Sequence, residues 1–387
     1  MNIKSLEKKI FSKKTRFEIN RSQLLELNKN FNHSIILVIG AAGSIGKSFT
    51  MYLKKFNFKK LILIDNNETG LADLSRDINL IFKKNLIKRT DYICEDINNV
   101  NLHNIIKNNK ISHYLNFAAL KHVRSEENFI STKNMFRTNS FKPFNIKKIN
   151  TLNTLKQIFF ISTDKAANPS SIMGCTKKIM ENNLCILKKK NKRLKISTVR
   201  FANVSFSNGS LLQNIFNRIN NKELFGIPLN VKRFFITHKE ATNLCFKALL
   251  KESDNHIVIP TYKSLGNSIE LKEITKKIVL LMKKKPVFSF KIKPVKKNQQ
   301  LIIVNSNPIM GQKNNEILHE PSEKLLKYKK DADLRKIKFY ENEKIKFLEN
   351  KIKKTKSLKE IKKICSIIFT NYIEKIKTKT ILLKNNI

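Results

Sequence analysis

The sequence predicts an α/β fold, a doubly wound parallel sheet with a smaller C-terminal substrate-binding part. Three observations predict it. Apolar runs of strand length alternate with segments of helical period from residue 34 to about 204. Three of the nine glycines in the chain fall between Gly40 and Gly46, at the first strand-to-helix junction. From about residue 205 the alternation gives way to irregular sequence carrying polar loops.

The elements follow in order. Residues 1–33 read as a polar lead-in with one amphipathic patch, "RSQLLELNKNF". "SIILVIG" is a buried strand by its unbroken apolar run, and "SIGKSFTMYLKKF" is the helix after it. "KKLILID" and "ETGLADLSRDINLIFKK" repeat the pair. "TDYICED" is a third strand and "SHYLNFA" a fourth. "KNMFRTNSFKPFNIKKINTL" contains a long helix and "KQIFFIS" is the fifth strand. "SSIMGCTKKIMENNLCILKKK" is a helix and "LKISTVRF" the sixth strand. Strands alternating with helices give a parallel sheet covered on both faces. The expected organisation is a lead-in over 1–33, a nucleotide-binding domain over 34–204, a substrate-binding part over 205–322, and a Lys-rich helical tail over 323–387.

A length of 387 residues and 41% hydrophobic content fit one large or two ordinary globular domains. The longest apolar runs fall short of the ~20 residues that span a bilayer. The N-terminal "MNIKSLEKKIFSKKTRFEIN" has no apolar signal core. Five cysteines, odd in number and widely spaced, read as reduced thiols, with no metal site. A cytoplasmic location without a transmembrane segment is expected. The net charge is +47, but only 11 of the 77 basic residues are Arg, and Lys, Asn, Ile and Phe are all abundant. That joint bias follows from AT-rich codons, so no specific nucleic-acid partner is expected. Non-specific attraction to polyanions at low salt is.

The loop "VIGAAGSIGKSF" carries Gly40, Gly43 and Gly46, with Ser44 and Ile45 between them. Glycines here permit a tight turn, close backbone approach to a pyrophosphate, and helix–sheet packing. The helix N-terminus then presents free N–H groups to phosphate. Asp65 ends the second strand, where a carboxylate accepts the ribose 2′-hydroxyl and repels a 2′-phosphate. NAD is therefore favoured over NADP; a turn aspartate is the alternative. Ala118, after the fourth strand, completes the expected cofactor set. Asp96 could touch adenine or be a surface residue.

The fifth strand ends in Ser162, Thr163, Asp164 and Lys165. Strand carboxyl ends face the ligand crevice in such a sheet, and four polar residues in a row there are poorly explained by packing. Lys177 follows Met173 by four residues and can reach the nicotinamide ribose. In Tyr-x-x-x-Lys enzymes the position of Met173 holds the tyrosine acid/base. A catalytic pair at Asp164 and Lys165 needs the carboxyl pKa raised and the ammonium pKa lowered. A tight ion pair between them pulls both the wrong way, so they are expected to point apart.

The segment "ISTDKAANPSSIMGCTKK" resembles the signature of the bacterial polysaccharide-biosynthesis nucleotide-sugar dehydratases, above all the UDP-N-acetylglucosamine 4,6-dehydratases. These belong to the extended short-chain dehydrogenase/reductase group with its Rossmann sheet. "FAALKHVRSEEN", "VRFANVSFSNGSLL", "VKRFFITHKEATNLC" and "MGQKNNEIL" resemble further family blocks in the same order. The resemblance implies oxidation at sugar C4, loss of water across C5–C6 and reduction at C6, with NAD carrying the hydride. It implies that Lys165 removes the C5 proton, Asp164 protonates the departing 6-hydroxyl and Thr163 bonds O4. It places Lys121, Asn203, Ser210 and Arg233 on the UDP-sugar, and it implies a homo-oligomer. Some family members have Met at position 173, so the tyrosine role passes to Thr163, Asp164, water or Lys121. Asn116, Lys142, Ala202 and Gln312 depart from the family pattern. The alternatives are a C4 or C5 epimerase on a similar UDP-sugar, or a non-catalytic polyanion-binding protein.

Overall fold

The computed structural model describes residues 2–11, 15–145, 152–305, 316–345 and 348–369. The six predicted strands are all present: β1 (Ile35–Ile39), β2 (Lys60–Asp65), β3 (Thr90–Cys94), β4 (His113–Asn116), β5 (Gln157–Ile161) and β6 (Lys195–Val199). The irregular half adds β7 (Asn203–Val204), β8 (Phe225–Pro228), β9 (Lys232–Arg233), β10 (Phe235–Ile236), β11 (His256–Pro260) and β12 (Ile269–Glu270). It continues with β13 (Lys285–Ser289), β14 (Gln299–Asn305), β15 (Leu325–Lys327) and β16 (Leu334–Lys338).

Nine strands form one sheet in the order β15-β16-β11-β6-β5-β4-β1-β2-β3. From β3 to β11 all pairings are parallel, and β16 and β15 add an antiparallel edge. Ile36 to Ile39, Leu61 to Ile64 and all of β5 are buried, as expected of strands covered on both faces. The order reverses between β1 and β4, which opens a crevice at the carboxyl ends of the strands. The loops after β1, β4, β5 and β6 all meet there.

Three places differ from the sequence reading. The long helix expected within 133–152 is a helix over Phe129–Phe136, a π turn over Arg137–Phe141 and a 3₁₀ turn over Lys142–Phe144. Pro143 lacks an N–H and ends regular helix there; residues 146–151 lie outside the described residues. The stretch from 323, read as helical, begins with β15 and β16, and only then forms helices Leu348–Lys354 and Leu358–Ile368. Those helices pack beside the sheet domain: Ile352, Ile361 and Cys365 share a core cluster with Met135, Phe136 and Met173. The lead-in is built into the molecule. Phe17, Leu27 and Phe31 join the main core, and Leu6 joins the core of the smaller part with Ile215 and Ile274.

Candidate active site

The loop after β1 has the shape of a phosphate cradle. Gly40 adopts φ +76°, and a Cβ on it would sit 2.4 Å from the Ala118 nitrogen. A Cβ on Gly46 would sit 2.0 Å from the Gly40 carbonyl oxygen. Neither position admits a side chain without moving backbone. Gly43 is the N-cap of helix Ser44–Tyr52 and offers no capping side chain, which leaves the first helical N–H groups available to an anion. Ile45 packs against the main core. Asp65 reaches over the loop, accepting the Ala42 N–H at 2.9 Å and the Asn67 N–H at 3.0 Å. Asp96 accepts the Asn98 N–H at 2.7 Å within its own turn.

The loop after β7 closes toward this cradle. The Asn208 N–H donates to Ser44 Oγ at 2.7 Å. A Cβ on Gly209, at φ +68°, would sit 2.4 Å from the His122 ring. Ser210 caps helix Leu211–Asn220, its Oγ accepting from Gln213 N at 3.3 Å. The Ser210 hydroxyl is thus engaged within its own loop.

At the end of β5 the chain turns tightly over Asp164–Ala166, with Thr163 as the N-cap. Thr163 Oγ1 donates to Asp164 Oδ1 at 2.6 Å, and Lys165 Nζ lies 3.3 Å from the same oxygen. The expectation that Asp164 and Lys165 point apart is not met. Consecutive residues on one turn share a side, whereas consecutive residues on a strand do not. Burial pulls the Lys165 pKa down, but Asp164 and Glu316 together hold it above that of an ordinary lysine, against Arg233. The Lys121 pKa is lowered by desolvation and then by the Lys165 charge.

Glu316 was missed as a site residue, although it stands in the quoted "MGQKNNEIL" block. It is 8% exposed. Its carboxylate accepts from Asn203 Nδ2 at 2.5 Å and from the Phe234 N–H at 2.9 Å, with Arg233 Nε at 3.4 Å. Burial first, then the Asp164 charge, push its pKa up to about 7, against Lys165 and Arg233. Asn203 and Arg233, expected on substrate, therefore converge on Glu316. Gln312, earlier in the block, lies outside the described residues.

Met173 is buried in the apolar cluster with Phe136 and Phe141. Its N–H and that of Ile172 each donate to Glu126 at 3.1 Å, so a carboxylate caps the helix Ile172–Lys190. Lys177 Nζ donates to the Ile161 carbonyl at 3.0 Å, and burial lowers its pKa to about 8, against Glu181. Asn139, on the π turn, donates to the Leu120 carbonyl and to Thr176 Oγ1, tying the loop after β4 to this helix.

Beneath the turn lies a buried ion cluster. Arg200 is fully enclosed and contacts Glu181 at 2.6 Å and Glu323 at 2.7 Å. Ser162 Oγ donates to Glu181 at 2.7 Å. Against the upward pull of burial, Arg200 and Lys178 hold the Glu323 pKa at about 2. The cluster joins the ends of β5 and β6 to the 316–323 segment and so fixes Glu316 beside Asp164.

A family model described as polysaccharide biosynthesis protein matches residues 36–366. The chain is 27% identical over 264 residues to capsular polysaccharide biosynthesis protein CapD of Staphylococcus aureus, covering 67% of this chain and 42% of that protein. It thus spans less than half the length of that relative. It is 26% identical over 245 residues to a UDP-N-acetylglucosamine 4,6-dehydratase (inverting) of Campylobacter jejuni, covering 61% of this chain and 69% of that one. The fold is shared with DesIV, a dTDP-glucose 4,6-dehydratase of Streptomyces venezuelae solved with NAD bound. The TM-score is 0.52 at 15% identity, over 70% of this chain and 88% of that one. The chain belongs to the polysaccharide biosynthesis protein family.

Proposed function

We propose that the chain catalyses NAD-dependent 4,6-dehydration of a UDP-N-acetylhexosamine, UDP-N-acetylglucosamine in the first instance, giving a 4-keto-6-deoxy sugar for surface polysaccharide. One observation carries the reading. A hydroxyl, a carboxyl and an ammonium stand together at the end of β5, on the same crevice as the glycine cradle after β1.

The cradle fits a dinucleotide, because Gly40 and Gly46 leave space only a bare backbone can leave. Gly43, Ser44 and the helix behind them would hold the pyrophosphate, Asp65 the adenosine ribose, and Lys177 the far end. NAD bound there supplies a reversible hydride acceptor. Thr163 orients O4 of the sugar and relays the O4 proton, released on oxidation at C4, to the Asp164 carboxylate it is hydrogen-bonded to at 2.6 Å. Lys165 removes the C5 proton, and Asp164 gives the proton it has gained to the departing 6-hydroxyl. Lys165, held charged by Asp164 and Glu316, must first lose its proton. Drawing Asp164 toward the 6-hydroxyl weakens that hold and lowers the lysine pKa. Glu316, with its carboxyl near 7, can exchange a proton at neutral pH. Met173 carries no exchangeable proton, which disfavours a tyrosine-dependent C4 epimerase.

Mass spectrometry of UDP-N-acetylglucosamine incubated with the protein and NAD tests this. Loss of one water from the nucleotide sugar is the expected result. An unchanged mass with a changed sugar configuration would replace dehydration with epimerisation.

A further inference from the structure

The segment 283–297 stands apart from the crevice and has its own chemistry. It holds seven lysines and no acidic residue. Interleaved with them are Phe290, 70% exposed, Ile292, 60% exposed, and Val295, 38% exposed. Exposed apolar side chains grouped together mark interaction sites, and these three lie within six residues of one loop.

The segment links β13 to β14, which are parallel neighbours. A parallel connection is ordinarily a crossover of a dozen or more residues that packs on the sheet. Here residues 290–298 run back exposed, without a helix. They are nonetheless pinned at both ends. Ser289 Oγ donates to the Lys291 carbonyl at 2.7 Å, and the Lys296 N–H donates to Gln299 Oε1 at 2.9 Å. Lys285 N donates to the Asn298 carbonyl at 2.9 Å. One lysine turns inward: Lys284 Nζ reaches the Ile219 carbonyl. Lys291, Lys293, Lys296 and Lys297 alternate with or follow the apolar residues along the loop and are exposed. The neighbouring helix Leu271–Leu281 adds Lys272, whose ammonium lies 5.4 Å from the Phe288 ring centre, and Lys276, beside Glu270 and Glu273.

We propose that this loop docks the protein on an anionic lipid surface, with Phe290 and Ile292 entering the interfacial layer and the lysines meeting lipid phosphates. Charge complementarity selects the partner. A second copy of this chain, at +47, would bring cation against cation. Nucleic acid would satisfy the lysines but leave Ile292 and Val295 in water. An anionic bilayer accepts both, since apolar insertion and basic attraction add. Among the described residues no helix is long and apolar enough to cross a membrane, so the docking proposed is peripheral.

The test is co-sedimentation of the full chain with vesicles of about three parts phosphatidylglycerol to seven parts phosphatidylcholine, against pure phosphatidylcholine. Binding to the mixed vesicles alone is expected. Phe290→Ser with Ile292→Ser should lower the partition coefficient by about tenfold or more, with thermal unfolding and NAD binding unchanged. Equal partitioning of wild type and the double variant would overturn the proposal and leave only diffuse attraction of a basic chain. Duplex DNA binding that falls by the same factor in the double variant would overturn it in favour of nucleic acid. A change of oligomeric state in the double variant, seen by sedimentation velocity without lipid, would overturn it in favour of self-association.

Discussion

Replacing Glu316 with glutamine removes the buried carboxyl that couples Asp164, Lys165 and Arg233. Its pKa stands at about 7, against 4.5 for an ordinary glutamate. The folded state therefore binds a proton that the unfolded chain has released, throughout the window between those two values. Stability contributed by this group is full below about pH 4.5 and is lost as pH rises toward 7. The shift corresponds to about 3 kcal/mol. Glu316→Gln keeps the shape but not the proton, so its stability relative to wild type should rise by up to about 3 kcal/mol between pH 4.5 and 8. Urea unfolding of both proteins at pH 4.5, 6, 7 and 8 reads this directly. The same substitution removes one of the charges that raise the Lys165 pKa, so the acidic limb of the turnover profile, on which Lys165 becomes a base, should move to lower pH. A stability difference independent of pH would refute the reasoning, because it would mean Glu316 titrates as an ordinary carboxylate.

Three further outcomes follow from named contacts. Gly46→Ala places a methyl 2.0 Å from the Gly40 carbonyl oxygen and should abolish NAD binding in a fluorescence titration. Arg200→Met strands Glu181 and leaves Glu323 with Lys178 alone, and should lower unfolding free energy by about 3–5 kcal/mol in urea. Adding Glu181→Gln to that variant should recover part of the loss. Glu126→Gln weakens the carboxylate cap on helix Ile172–Lys190 and should cost about 1 kcal/mol by thermal unfolding.

Much of the sheet was legible because its strands are buried on both faces and so read as unbroken apolar runs; "IILVI" and "QIFFI" need no tertiary context. Strand β16 was not. Its buried residues, Leu334 and Ile337, are three apart, a helical spacing, and its strand form comes from pairing with β11. Pro143 was a visible helix breaker within the segment read as a long helix. At the site, Gly40, Gly43, Gly46 and the Thr163–Lys165 run were legible because glycine spacing and polar strand ends have local causes. Glu181 and Arg200 were not, because their pairing is made by the fold. Glu316 sat in a family-like block within Lys- and Asn-rich sequence, and only its convergence with Asn203, Arg233 and Phe234 marks it.

The most direct measurement is NMR of UDP-N-acetylglucosamine incubated in D2O with NAD and either wild type or Lys165→Met. Wild type should produce a C6 methyl signal with deuterium at C5, and Lys165→Met should bind NAD yet produce neither. A methyl signal with equal C5 deuteration in the Lys165→Met reaction, or none from NAD-loaded wild type, would contradict 4,6-dehydration through Lys165.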